Sequence, residues 1–275
     1  PISDRALPSH DNAEEALRDL ERLLATNVSD DRVQYAIAAH SVYLCSDETL
    51  QKAAEVAERH SARIHIHVSE TRKEIADCHA RTGRYPVEHL QHLGVLNEST
   101  VLAHASWVKK REIRMMAEAG STAVHCPSSN MKLACGGTLS LPPYLDAGVD
   151  VRLGTDGAAS SGSGLNVLAE ARLASLVQRH DHWDATMMTA NQAFAMATKG
   201  SQDWVTWNLD DIRMQPRGRS DNRHVANLVF NGADCLDVWV QGRNLRQDGV
   251  TMAIDERAAG QALNHAVQSY YEGVE

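Results

Sequence analysis

The chain has 275 residues, 43% of them hydrophobic, 23% charged and 5% aromatic, which is the composition of a globular protein able to bury a sizeable core in one large domain or two modest ones. Acidic residues outnumber basic ones 36 to 27, a net charge of −9, which argues against a nucleic-acid backbone or an anionic membrane as the main partner. No apolar run approaches the roughly 20 residues that span a bilayer, and the opening Pro1-Ile2-Ser3-Asp4-Arg5 has no apolar signal core.

Residues 12–27 carry Ala16, Leu17, Leu20, Leu23 and Leu24 at helical spacing. Residues 34–39 form a short apolar strand ending at His40. Ser46 is the expected N-cap of a helix through Glu58, with Asp47 and Glu48 in the first turn, where the helix dipole favours negative charge. Residues 62–68 read as a β-branched strand, Thr71 begins a helix, and Pro86 opens another. A strand over 100–103 ends at His104, a helix covers 109–119, and a strand over 122–124 ends at His125. A strand over 149–153 runs into Gly154-Thr155-Asp156-Gly157, and residues 165–178 are helical. After about residue 200 the texture changes. Residues 204–209 and 226–230 read as strands, 237–240 and 244–245 as a hairpin around Gln241-Gly242-Arg243, and 255–271 as a final helix.

Repeated β-then-α units with largely apolar strands imply a parallel sheet covered by helices, an α/β fold. Active sites of (β/α) barrels and open α/β sheets lie at the carboxyl ends of such strands. Those ends carry His40, His67 with Glu70, His104, His125 and Asp156. One histidine in such a place is ordinarily structural; five strand ends in succession are a pattern. Imidazole and carboxylate are the ligands of Zn²⁺ and Fe²⁺ in hydrolytic sites. Such a metal lowers the pKa of its water to about 7, and a neighbouring carboxylate shuttles the proton. Metal-assisted hydrolysis is therefore expected. The five cysteines (Cys45, Cys78, Cys126, Cys135 and Cys235) are scattered without a C-x-x-C pair, which fits a reducing cytoplasm. Nothing pairs with Cys126 or Cys135 at metal spacing, so both read as structural.

Four motifs stand in one order: His67-Val68-Ser69-Glu70-Thr71, Leu102-Ala103-His104, His125-Cys126-Pro127-Ser128-Ser129-Asn130-Met131-Lys132-Leu133, and Leu153-Gly154-Thr155-Asp156-Gly157. Together they resemble the amidohydrolase superfamily, in particular its adenosine-type deaminases (of S-adenosylhomocysteine and methylthioadenosine) and triazine hydrolases. The resemblance implies that residues 1–200 are the C-terminal part of a (β/α)8 barrel, strands four to eight. Residues 201–275 then form a small β-sandwich-type portion with a C-terminal helix.

By the same resemblance, His67 and Asp156 are metal ligands, for one divalent ion, Zn before Fe. Glu70 hydrogen-bonds a purine ring nitrogen and relays a proton to it, His104 orients the water or polarises the reacting carbon's substituent, and Asp156 doubles as general base. His40 contacts substrate, as do Glu70 and Asp156, while Asn130 and Lys132 lie at the lip of the pocket. His65, two residues before His67, is taken as a packing or supporting residue, and His125 likewise. Trp204, Trp207 and Trp239 are expected in the core of the tail, and His180-Asp181-His182-Trp183 in a solvated turn after a helix.

The implied reaction is metal-dependent deamination of a purine nucleoside or similar N-heterocycle, in the cytoplasm. A small molecule is the expected partner, with no nucleic acid or membrane, in a homo-oligomer. The family's strand-one His-x-His has no counterpart before His40, and the chain opens on Pro1 rather than Met. A processed or trimmed chain, or a fragment, is therefore expected. The alternatives are a catalytically incomplete paralogue acting as a binding or assembly subunit, a barrel completed by a partner, or a triazine-type chlorohydrolase or aminohydrolase.

Overall fold

Short apolar strands alternate with amphipathic helices through the first 200 residues, and in the computed structural model each strand finds the next as its parallel neighbour. The structure describes residues 1–26, 33–158, 161, 164–218 and 220–273; Asn27, the end of the first expected helix, lies outside them. The chain divides into two compact units, Pro1–Lys199 and Gly200–Glu275.

The first unit runs α1 (Ala13–Ala25), β1 (Ile37–Ser41), α2 (Asp47–Arg59), β2 (Ile64–Val68), α3 (Arg72–Thr82), α4 (Pro86–His92), β3 (Thr100–His104) and α5 (Lys110–Ala119). It continues through β4 (Thr122–His125), α6 (Pro127–Lys132), α7 (Leu141–Ala147), β5 (Asp150–Leu153), α8 (Val167–His182) and α9 (Ala190–Thr198). Caps explain where several helices start: the Ser46 hydroxyl accepts from the Thr49 N–H at α2, Thr71 from Glu74 at α3, and Asn166 from Ala169 at α8. The five strands are parallel in the order β1-β2-β3-β4-β5. That order never reverses, as in a segment of a barrel and unlike a doubly wound sheet. At the outer edge of β1, the Ile2 N–H donates to Ala38 O at 2.6 Å and Ile2 O accepts from the His40 N–H at 2.9 Å.

Alternation along the strands sorts the sheet into two faces. Ile37 and Ala39, Ile64, Ile66 and Val68, Leu102, Ala123, and Val151 with Leu153 are buried, and α2, α7, α8 and α9 pack onto the strands. Ala38, His40, His67, Ala103, Val124 and Arg152 are only half-buried. In register, His67 lies beside Ala103, Ala103 beside Val124, and Val124 beside Arg152. His65 shares that face and is exposed, so it does not pack as expected.

Buried carboxylates tie down the loops. Glu112 is fully buried and accepts from the backbone N–H groups of Val87 at 3.0 Å and Lys109 at 2.9 Å. Glu170 accepts from the Ser128 N–H at 3.1 Å and from its hydroxyl. Glu74 holds the loop after β2 in the same way, as detailed below. A buried acceptor with two N–H donors offsets its desolvation, which a buried carboxylate with no partner cannot do.

The second unit contains β6 (Trp204–Trp207), a 3₁₀ turn at Ile212–Met214, α10 (Asp221–Asn231), β7 (Cys235–Val240), β8 (Arg243–Gln247), β9 (Val250–Thr251) and α11 (Glu256–Glu272). Its strands form one antiparallel sheet in the order β6-β7-β8-β9. The strand expected at 226–230 is instead helix α10, with Leu228 and Val229 buried and the Asn227 side chain donating to Met214 O at 2.8 Å. A short apolar run has no period of its own to separate the two states. Trp204 and Trp239 are directly paired across β6 and β7 and stack with ring centroids 5.0 Å apart. Trp204 is 50% exposed, so this pair lies on the sheet's surface and is not core as expected. His180-Asp181-His182, expected in a turn, form the last turn of α8, and Trp183 is its left-handed cap.

Candidate active site

Four strand ends bring the expected residues into one cluster. β1 carries His40 beside its last residue, β2 ends just before Ser69-Glu70, β3 ends at His104, and β5 leads to Asp156. The backbone turns sharply there: Ser69, His104, Ala105 and Asp156 have φ of 51, 70, 46 and 60°. Left-handed non-glycine residues are costly, and their grouping here is the signature of a site held by its surroundings. Supporting contacts are visible. The Ala105 N–H donates to Val68 O at 3.0 Å, and the Tyr144 hydroxyl donates to Ala105 O at 2.5 Å. Gly154 is required by packing, since a Cβ there would lie 2.6 Å from Val124 Cγ1.

His104 sits at the centre, with its side chain 2% exposed. Its Nε2 is 3.9 Å from Glu70 Oε2 and 3.9 Å from Asp156 Oδ2. Its ring stacks on His67 with centroids 5.3 Å apart, and His67 in turn lies 5.0 Å from His40. His67 Nδ1 donates to His40 O at 2.7 Å, which leaves Nε2 as the free lone pair. Asp156 accepts from the Ser129 hydroxyl at 2.5 Å and from the Gly157 N–H at 2.6 Å. Tyr43 lies 5.8 Å from His40, at the open side of the cluster.

The electrostatics follow the burial. Burial holds the His104 imidazole below its ordinary pKa, opposed by Glu70 and helped by His67. Burial also lowers His40, with His67 adding to it. For Asp156 burial pushes the carboxyl up, and Ser129, Gly157, His104 and His67 together outweigh it and hold it below the carboxylate range. The cluster therefore pairs a neutral imidazole with an ionised carboxylate at neutral pH, the division of roles that acid–base chemistry needs.

Several residues are placed differently from expectation. Asn130 is buried, 1% exposed, with Nδ2 3.2 Å from His104 Nδ1, whereas Lys132, at the end of α6, is exposed. Cys135 is not merely structural, because its Sγ lies 3.3 Å from Glu70 Oε1. His125 is fully buried with neither ring nitrogen hydrogen-bonded, and burial drives its pKa down to about 3. Ser129 and Glu74 were not singled out in the sequence. Ser129 stands inside a quoted motif, and only its 2.5 Å contact with Asp156 shows its use. Glu74 accepts from the Ser69 and Glu70 N–H groups at 2.8 Å each and thereby fixes the loop that carries Glu70.

The donors suit a divalent cation in kind. A histidine whose Nδ1–H is held by a backbone carbonyl presents Nε2 as metal ligands do, and Asp156 supplies an ionised oxygen. They are few in number: among the described residues no group of three or more His, Cys, Asp or Glu side chains is placed to hold a metal ion.

Residues 4–204 match the amidohydrolase family, and the chain belongs to it. Among curated relatives, the 5'-deoxyadenosine deaminase of Methanothermobacter thermautotrophicus is 37% identical over 259 residues, covering 88% of this chain and 60% of that protein. The 5-methylthioadenosine/S-adenosylhomocysteine deaminase of Pyrococcus furiosus is 37% identical over 194 residues, 70% of this chain and 46% of that protein. The crystal structure of an adenosine deaminase from Xanthomonas campestris with bound zinc superposes with a TM-score of 0.88 at 25% identity, over 96% of this chain and 63% of that one. The zinc complex of atrazine chlorohydrolase from Arthrobacter aurescens has a TM-score of 0.80 at 23% identity, over 91% and 59%, and shows the shared fold. The fold is thus part of the TIM-like barrel of these hydrolases, and the chain spans 46 to 60% of the length of the two curated relatives. Among the described residues no helix is long and apolar enough to cross a membrane.

Proposed function

We propose that this chain carries the substrate-binding and proton-handling side of a metal-dependent aminohydrolase of purine nucleosides. In that reading β1 to β5 correspond to strands four to eight of an eight-stranded barrel. The convergence of Glu70 and Asp156 on His104 Nε2, each at 3.9 Å, is the observation that carries the reading. His67 Nε2 and Asp156 would hold a zinc ion as part of a larger ligand set. A bound divalent cation supplies nucleophilic water at neutral pH.

The chain's own residues account for the rest. Asp156, ionised and steadied by Ser129, accepts the proton of the attacking water. Glu70 delivers a proton to the ring nitrogen beside the amino-bearing carbon, which makes that carbon electrophilic. His104, neutral and buried between the two carboxylates, donates from Nε2 to the tetrahedral centre. The bond from carbon to the exocyclic amine breaks as that amine takes the proton held by Asp156, the new hydroxyl's proton returns to Glu70 to leave the ring carbonyl, and ammonia leaves. His40, half-buried beside His67 and Tyr43, would contact the substrate. The adenosine-type choice is supported by relatives that deaminate 5'-deoxyadenosine and 5-methylthioadenosine. A cytoplasmic homo-oligomer belongs to the same proposal; the five free cysteines support the reducing compartment.

Ammonia release from 5'-deoxyadenosine and methylthioadenosine, with zinc supplied, tests this reading. Asp156→Asn is expected to abolish it, and normal turnover in that variant would refute the assignment. A second reading is a binding or assembly subunit, favoured by the lack of a three-donor group among the described residues. Metal analysis separates the two: about one zinc per chain supports the enzyme, whereas no metal and no ammonia supports the subunit.

A further inference from the structure

Asn130 occupies a position that the proposed chemistry has not yet used. Its side chain is 1% exposed and belongs to α6, whose own backbone bonds leave the amide group free to serve neighbours. An asparagine amide has two N–H donors and one acceptor oxygen, and burial demands that each be satisfied. The Ser106 hydroxyl donates to Oδ1 at 3.3 Å. Nδ2 lies 3.2 Å from His104 Nδ1, and the Asn130 side chain opposes the rise of the Cys135 thiol's pKa, as an N–H donor to sulfur does. That thiol donates onward to Glu70 Oε1 at 3.3 Å, while His104 Nε2 faces the other oxygen of the same carboxylate at 3.9 Å.

With Asp156 ionised, one proton arrangement suits all of these contacts. Nε2 faces the ionised Asp156 carboxylate at 3.9 Å, an acceptor only, so the imidazole proton belongs there. Nδ1 is then an acceptor and takes an N–H from Asn130. The second N–H of the amide goes to the Cys135 sulfur, whose S–H is turned to Glu70. Reversing the amide would put an oxygen against the His104 Nδ1 lone pair and leave the sulfur without its donor.

Resting on the proposed roles of His104 and Glu70, we infer that Asn130 is a positioning residue that sets both. It fixes the Nε2–H tautomer of His104 directly and orients the Glu70 carboxylate through the Cys135 thiol. The loop carrying Cys135 is itself clamped. The Trp107 indole N–H donates to Cys135 O at 3.1 Å, and a Cβ on Gly137 would meet the indole at 2.8 Å. Arg72 lies over that ring, its Cζ 4.1 Å from the centroid. Cys135 is thus held in reach of Glu70 by packing that a change at Asn130 does not touch.

The test is long-range ¹H–¹⁵N NMR of the chain labelled with ¹⁵N-histidine, with the His104 signals identified by their loss in His104→Asn. A protonated Nε2 and a bare Nδ1 are expected in the wild type; a protonated Nδ1 overturns the inference, whether or not the chain turns over. Asn130→Asp replaces the donor with an acceptor, so His104 must take its proton on Nδ1; an unchanged tautomer also overturns it. With substrate, Asn130→Asp should lower kcat by up to about 10⁴-fold, the effect known for an imidazole held in the wrong tautomer, with KM changed little; a kcat within about twofold of wild type would overturn the inference. Should Asp156→Asn keep full turnover while His104 shows the expected tautomer, the functional reading falls and the positioning of His104 stands.

Discussion

The loop that carries Glu70 hangs on one buried carboxylate. Glu74 is 4% exposed and accepts two backbone N–H groups, from Ser69 and Glu70, at 2.8 Å each. Burial pushes its carboxyl from 4.5 up to about 7, against the pull of those two N–H groups. The sign follows from proton counting. Between the two values the folded state binds the proton and the unfolded state does not. This group therefore stabilises the fold fully below pH 4.5, and that contribution is lost as pH rises through 7. Integrating the difference from pH 5.5 to pH 8 gives a loss of about 2 kcal/mol. Glu74→Gln removes the titration and keeps the volume. It leaves one acceptor oxygen for two N–H donors, a constant cost of about 1–3 kcal/mol. Urea unfolding of both proteins at pH 5.5 and pH 8 measures the effect, and the slope that Glu112 contributes cancels because both share it. The stability gap between wild type and variant should narrow by about 2 kcal/mol at the higher pH. Parallel pH profiles would refute the reasoning.

Gly154→Ala places a methyl 2.6 Å from Val124 Cγ1 and should destabilise the barrel portion by about 1–3 kcal/mol, read as a lower Tm; an unchanged Tm would show that β4 and β5 can part without cost. Ser129→Ala removes the hydroxyl 2.5 Å from Asp156 Oδ2. A hydrogen bond to a charged group is worth about 1.5–3 kcal/mol, so kcat should fall about 10- to 100-fold in the ammonia assay; a kcat within about twofold of wild type would remove Ser129 from the site.

Much of the first unit is legible without coordinates. Ser46, Thr71 and Pro86 mark helix starts because cap chemistry is local. The parallel strands show as apolar runs because their environment is uniformly apolar on one face. What escapes detection is short or ambiguous. Helices α6 and α7, of six and seven residues, are too brief to display a period. Residues 226–230 are equally apolar as helix or strand, and in the fold they are helical, with the Asn227 side chain donating to Met214 O. Trp204 and Trp239 look like core by composition, yet cross-strand register places them against each other on an exposed face.

The strand-end histidines and carboxylates are a property of the sequence itself, because a residue's place at the end of an apolar run is encoded locally. His40, His67, Glu70, His104 and Asp156 could be named from that alone. Their working state could not. That Asn130 and Ser129 face inward, that Cys135 reaches Glu70, and that Glu74 holds the loop below it all depend on contacts between groups 4 to 65 positions apart. Tautomers and ionisation are set by such partners and by burial, which exist only once the strands have come together. The 14 histidines announce the site, and the fold decides which of them face solvent, which are buried without a partner, and which one is held ready to donate a proton.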